Sequence, residues 1–218
     1  MDEIDLPAIT RRHLERERQI RTRIIVNVIE IERHIEGSIA TFFCREEYKH
    51  VLFTELLFQT GQIPLSRKTE ILRKILEYNY PELSKRYHSI LARVDSIRGI
   101  RNKLAHAESF FPLTEEDEID GIKIRVIKGG EIKEEALTTK DIDEKGNIAA
   151  IVGLSLFYLA SAIEAFITED DDAEAHTERI DRLISMYPDI LQSHSDTGKA
   201  KPKKQRVSNF KPANKKEN

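Results

Sequence analysis

Apolar residues recur every three to four positions along most of this chain, the spacing that puts them on one face of an α-helix. From about Leu14 to Phe43 the stripe is Ile20, Ile24, Val28, Ile31, Ile35, Ile39 and Phe42, with Arg, Glu and His between them, which predicts one long helix. Val51, Leu52, Leu56 and Leu57 predict a second. Thr60-Gly61-Gln62-Ile63-Pro64 should end it, because Gly suits a C-terminal cap and Pro cannot extend the hydrogen-bond ladder. Ser66 then precedes a third helix over 67–78, where Ile71, Leu72 and Ile75 share a face and Glu70 sits near the first turn. After Pro81, Leu83, Tyr87, Ile90, Leu91, Val94, Ile97, Ile100 and Leu104 mark a fourth helix that runs on to His106.

Beyond it the period changes. Ile122 to Ile127 and Glu131 to Leu137 alternate around Gly129-Gly130, a turn that tolerates positive φ, and predict a β-hairpin at about 122–137. From about Lys140 to Ile167 the helical period returns with apolar residues on more than one face (Ile151, Leu154, Leu156, Phe157, Leu159, Ile163), as suits a helix in the middle of a bundle or against a partner. Its apolar part, Ile148 to Phe166, includes Gly153, Ser155, Ser161 and Glu164 and is read as too short and too polar to span a bilayer, so a buried core helix is expected. A modest helix over 174–186 precedes Pro188. The expected fold is all-α in the main, an antiparallel helical bundle of about five helices with a small β-hairpin insertion. One domain should cover 1–193, and a disordered basic tail 194–218, where aliphatic residues are few and ordering would gain little burial.

Charge sharpens this division. The chain of 218 residues carries a net −3. Residues 194–218 hold eight Lys or Arg against Asp196 and Glu217, so the tail is +6 and the body −9. Such a tail could follow a nucleic-acid backbone by displacing counterions, or serve solubility alone. The single cysteine, Cys44, excludes an intramolecular disulfide and fits a reducing compartment. The charged N-terminus lacks the apolar centre of a secretory signal, so a cytoplasmic protein with no membrane association is expected. His34, His88, His176 and His194 have no ligand companions at usual spacing and read as surface residues, with no metal or cofactor expected. The acidic run 169–172 reads as a solvated loop. Nucleotide-binding glycine motifs, zinc fingers and serine-hydrolase signatures are absent from the sequence.

Candidate chemistry gathers at Arg101-Asn102-Lys103-Leu104-Ala105-His106. Successive helical residues turn by about 100°, so Arg98, Asn102 and His106 lie along one polar face, with Asp95 a turn earlier, whereas Arg101 is about 140° from His106. Those two side chains can converge only at a distorted helix end or from neighbouring helices, and a dimer meets that condition. Arginine offers a planar donor fork for phosphate oxygens, and histidine exchanges a proton near neutral pH. Together they suit phosphodiester cleavage by a 2′-hydroxyl. Spacing alone does not single them out: Arg45 and His50 have the same gap, and a surface Arg with a His near the helix C-terminal dipole is the plain alternative.

The string IRGIRNKLAH at the end of a helix in a helical bundle resembles the R-N-x-x-x-H form of the HEPN-domain motif (higher eukaryotes and prokaryotes nucleotide-binding). The order of a long first helix, then GQIPLSRKTEIL and the motif helix, is similar to prokaryotic, ribonuclease-like members, over roughly residues 14–168. The resemblance implies a homodimer with two motif copies across a cleft and metal-independent endoribonuclease activity of the kind found in toxin–antitoxin, phage-defence and RNA-processing systems, with RNA and an antitoxin or another protein as partners. It places Arg101 at the scissile phosphate, His106 as acid/base and Asn102 as the supporting polar residue, and Arg98 and Lys103 would bind RNA. Some HEPN proteins do not cut RNA, so a noncatalytic module that binds RNA, a nucleotide or a protein is the alternative.

Overall fold

A computed structural model describes residues 8–58, 62–110, 120–128 and 131–191. The helical period becomes α1 (Ala8–Phe43), α2 (Glu47–Leu57), α3 (Leu65–Asn79), α4 (Pro81–His106), α5 (Thr139–Thr168), α6 (Ala173–Met186) and α7 (Pro188–Leu191). Strands β1 (Glu108–Phe110), β2 (Gly121–Lys128) and β3 (Glu131–Thr138) lie between α4 and α5. The protein is mainly helical with a small antiparallel β insertion, as the pattern predicts.

The stripe of α1 does what its spacing requires. Ile31, Ile35 and Ile39 are buried against Val152, Leu156, Leu159 and Ile163 of α5 in one core that also takes Leu72 and Leu76 from α3 and Tyr87, Ile90 and Val94 from α4. Polar groups register the α1–α5 seam: Arg23 donates to Asp143 Oδ1 at 2.5 Å and Asn147 Oδ1 at 2.8 Å. At 30 residues α5 is, by length and composition, long and apolar enough to cross a membrane, which corrects the reading that this stretch is too short. Its inner face is packed in the bundle, and Leu154, Phe157 and Phe166 remain exposed.

A second, smaller core lies under the sheet. Ile122 and Ile124 of β2 close over Ile20 and Ile24 of α1, Leu104 and Ala107 at the end of α4, and Ile142 of α5. The sheet is three-stranded, in the order β1-β2-β3, with Glu108 opposite Arg125 and Ile127 opposite Ile132. β1 extends the expected hairpin. Three residues are too few for alternation to show, and pairing with β2 creates the strand. Thr138 closes the insertion with a capping box: its Oγ1 accepts from the Asp141 N–H at 3.1 Å, and its own N–H donates to Asp141 Oδ2 at 3.2 Å.

Other expectations need correction. The bundle gains a four-residue α7 that the pattern does not mark and that buries Leu191, while the expected helix before Pro188 is α6, which buries Ala173, Thr177 and Ile180. α3 starts at Leu65 with Pro64 at its N-cap, not at Ser66: Leu65 is drawn into the core, and the Arg67 N–H donates to the Pro64 carbonyl at 2.8 Å. α2 buries none of its residues. His34 and His176 are half-buried rather than on the surface, beside the rings of Phe157 and Tyr158. Gly129-Gly130, His194 and the tail 194–218 lie outside the described residues.

Candidate functional site

The end of α4 is fixed by two groups, one apolar and one charged. Leu104 is fully buried beneath the sheet. Arg21 of α1 donates one guanidinium nitrogen to the Leu104 carbonyl and the other, at 2.9 Å, to the Ala107 carbonyl, while its Nε donates to Glu17 Oε1 at 2.6 Å. A cation on the last carbonyls satisfies acceptors with no helical partner and offsets the negative end of the helix dipole. With Leu104 facing inward, Asn102 and His106 are held on the outside, both exposed.

Two concavities flank this helix end. A groove of about 510 Å³ between α1, α3 and α4 is lined by Arg98, Arg101 and Asn102 together with Glu32, Glu36 and Lys68. A second, of about 470 Å³, is lined by Asn102, Lys103 and His106 together with Arg125, Ile127 and Ile132 of the hairpin. Asn102 borders both. Arg101 and His106 therefore open to different sides, as the helical rotation predicts.

Each predicted residue has its own surroundings. Arg101 Nη1 donates to Asn102 Oδ1 at 3.2 Å. Arg98 Nη1 lies 3.2 Å from Asp95 Oδ1 as an ion pair, but at an angle that makes no hydrogen bond, and this buried nitrogen has no acceptor among the described residues. Lys103 Nζ donates to Glu135 Oε2 at 2.6 Å and so ties α4 to β3. An anion approaching Lys103 meets a cation already hydrogen-bonded to a carboxylate, whereas Arg98, though ion-paired with Asp95, keeps a guanidinium nitrogen without an acceptor among the described residues. Arg45 precedes the first residue of α2 and His50 lies within it, so that pair shares no helix.

The sequence reading did not single out Lys68. Its side chain, only 3% exposed, donates to Glu32 Oε1 at 2.5 Å and to Glu36 Oε1, both on α1, and its ammonium lies 5.4 Å from the centre of the Phe58 ring. Burial works against the Lys68 charge, but the hydrogen bonds and opposite charge of Glu32 and Glu36 outweigh it and raise the ammonium above its ordinary 10.5. The four-residue step from Glu32 to Glu36 puts both on one face of α1. Nothing local pairs that face with Lys68, which only the packing of α3 on α1 brings to it. Among the described residues no three His, Cys, Asp or Glu side chains gather as a metal-ligand set.

Comparisons with protein-family models, curated proteins and solved structures found no match for the chain.

Proposed function

We propose that this protein is an endoribonuclease of HEPN type, acting as a homodimer on RNA without a metal ion. The observation that carries the reading is the R-N-x-x-x-H set at a rigidly capped helix end, with Asn102 and His106 exposed and Arg101 lining the adjoining groove. In this reading Arg101 binds the scissile phosphate and stabilises the charge that develops on it. His106 takes the proton of the attacking 2′-hydroxyl or returns one to the leaving 5′-oxygen, and Asn102 orients the phosphate or the imidazole. The bond from phosphorus to the 5′-oxygen breaks as the 2′-oxygen bond forms, leaving a 2′,3′-cyclic phosphate. Because Arg101 and His106 open to different sides of α4, the active arrangement takes one from each of two facing copies, which is the reason for proposing a dimer.

Incubation of the purified protein with single-stranded and structured RNA in EDTA tests this. Cleavage giving 2′,3′-cyclic phosphate ends is expected, with a loss of about 10²-fold or more in His106→Ala and in Arg101→Ala. No cleavage, or cleavage unaltered in His106→Ala, overturns the catalytic reading. RNA binding that survives in a protein unable to cut would favour the noncatalytic module.

A further inference from the structure

The groove on the Arg101 side is lined by groups of both charges. Arg98 and Arg101 present guanidinium groups beside Asn102. Glu32 and Glu36 line it too, drawn together by Lys68. Glu32, Glu36 and Lys68 together carry −1, and Arg33, ion-paired with Glu30, also lines the groove. Each carboxylate gives one oxygen, Oε1, to Lys68, and the Oε2 oxygens make no hydrogen bond among the described residues. Glu36 is 15% exposed and Glu32 32%, so both are partly desolvated yet reachable. Apolar side chains, among them Ile29 and Ile63, line the same groove. Its volume of about 510 Å³ falls within the range of small-molecule sites.

A ligand that uses both kinds of group has an anionic group for the arginines and adjacent N–H donors for the carboxylates, because ionised carboxylates only accept hydrogen bonds. Guanine nucleotides fit this description. The Watson–Crick edge of guanine places the N1–H beside the N2 amino group, two neighbouring donors. Adenine and cytosine offer one amino group beside a ring-nitrogen acceptor, and uracil offers one N–H between two carbonyl oxygens; these acceptors would face the carboxylates and be repelled. Single-stranded RNA bases are commonly read on this edge.

We infer that the groove between α1, α3 and α4 is a nucleotide subsite that seats a guanine base against Glu32 and Glu36 and the attached phosphate against Arg98 and Arg101. Lys68 is a positioning residue that holds the two carboxylates at one spot. As a part of RNA recognition the inference rests on the proposed ribonuclease reading, and it gives that site a preference for guanine next to the phosphate that Arg101 contacts.

Calorimetric titration of the intact protein with GMP, AMP, CMP and UMP tests the subsite without depending on cleavage. GMP is expected to bind about tenfold or more tightly than the other three, the discrimination a two-point base contact provides. Glu36→Gln and, separately, the more exposed Glu32→Gln should reduce that preference to within about twofold while the thermal melt remains cooperative, and Arg101→Ala should weaken all four nucleotides alike. Equal binding of the four, no binding at all, or an undiminished GMP preference in both folded Gln variants overturns the inference. The wild-type preference decides the matter even if neither variant folds. GMP preference in a protein that does not cut RNA keeps the subsite and removes the ribonuclease reading; cutting with no base preference does the reverse.

Discussion

Gly121 opens β2 at φ +155°, and a Cβ built there would lie 2.0 Å from the Leu137 carbonyl oxygen. Backbone, not a movable side chain, occupies that space. Gly121→Ala is therefore expected to cost roughly 1–3 kcal/mol and to lower the melting temperature by several degrees; a melt superimposable on wild type would contradict this. Tyr87 and Lys68, and Tyr80 pushed up by burial, are among the groups that contribute to stability at alkaline pH. Burial, then the nearby Asp181 carboxylate, pushes the Tyr87 hydroxyl up to about 12. It donates to the Thr177 carbonyl at 3.1 Å and lies 3.2 Å from Asp181 Oδ1. Tyr87 and Lys68 both titrate higher in the fold than in the unfolded chain, so each contributes stability that is complete below about pH 10 and lost as pH rises through the folded value. Thermal melts from pH 8 to 12 should stay level and then fall steeply above pH 10, and Tyr87→Phe should make that fall shallower. An unchanged profile in Tyr87→Phe would assign the loss elsewhere.

At the scale of the element, the end of α4 carries the most consequence. Its eight-position apolar stripe made the helix and its end at His106 legible from spacing alone. The cap was not legible, because Arg21 lies 83 residues before Leu104 and reads locally as one of many surface charges on α1. Removing that fork in Arg21→Ala should destabilise the protein by about 1.5–3 kcal/mol, the range for hydrogen bonds to a charged group. It should also speed hydrogen exchange at the Ala107 amide, which donates to the Lys103 carbonyl at 2.9 Å, and reduce any RNA cleavage along with it. Arg21→Lys, a single point of charge without the fork, should recover only part of the loss. Equal stability and equal exchange in Arg21→Ala would show that the cap is dispensable. β1 escaped detection for a related reason: a strand of three residues exists only through its partner.

At the scale of the molecule, the proposed chemistry depends on two copies. If Arg101 and His106 act across a dimer, Arg101→Ala and His106→Ala proteins, each inactive alone, should restore activity when mixed and allowed to exchange subunits. Random reassortment makes half the dimers mixed, each with one intact composite site of two, so about a quarter of wild-type activity is expected. No recovery, with subunit exchange demonstrated by differently tagged chains, would place Arg101 and His106 of one copy in the same site.

The sequence by itself determined the helical character, the position and end of the motif helix, the hairpin and the divergence of Arg101 from His106, since each follows from a period or rotation within one short segment. Tertiary structure decided what depends on distant parts of the chain meeting. It brought Lys68 from α3 to Glu32 and Glu36 on α1, set Arg21 on the end of α4, and buried one face of a helix apolar enough in length and composition for a membrane. Burial and charge pairing are properties of neighbours in space. A linear pattern shows which faces are available, and packing chooses which of them meet.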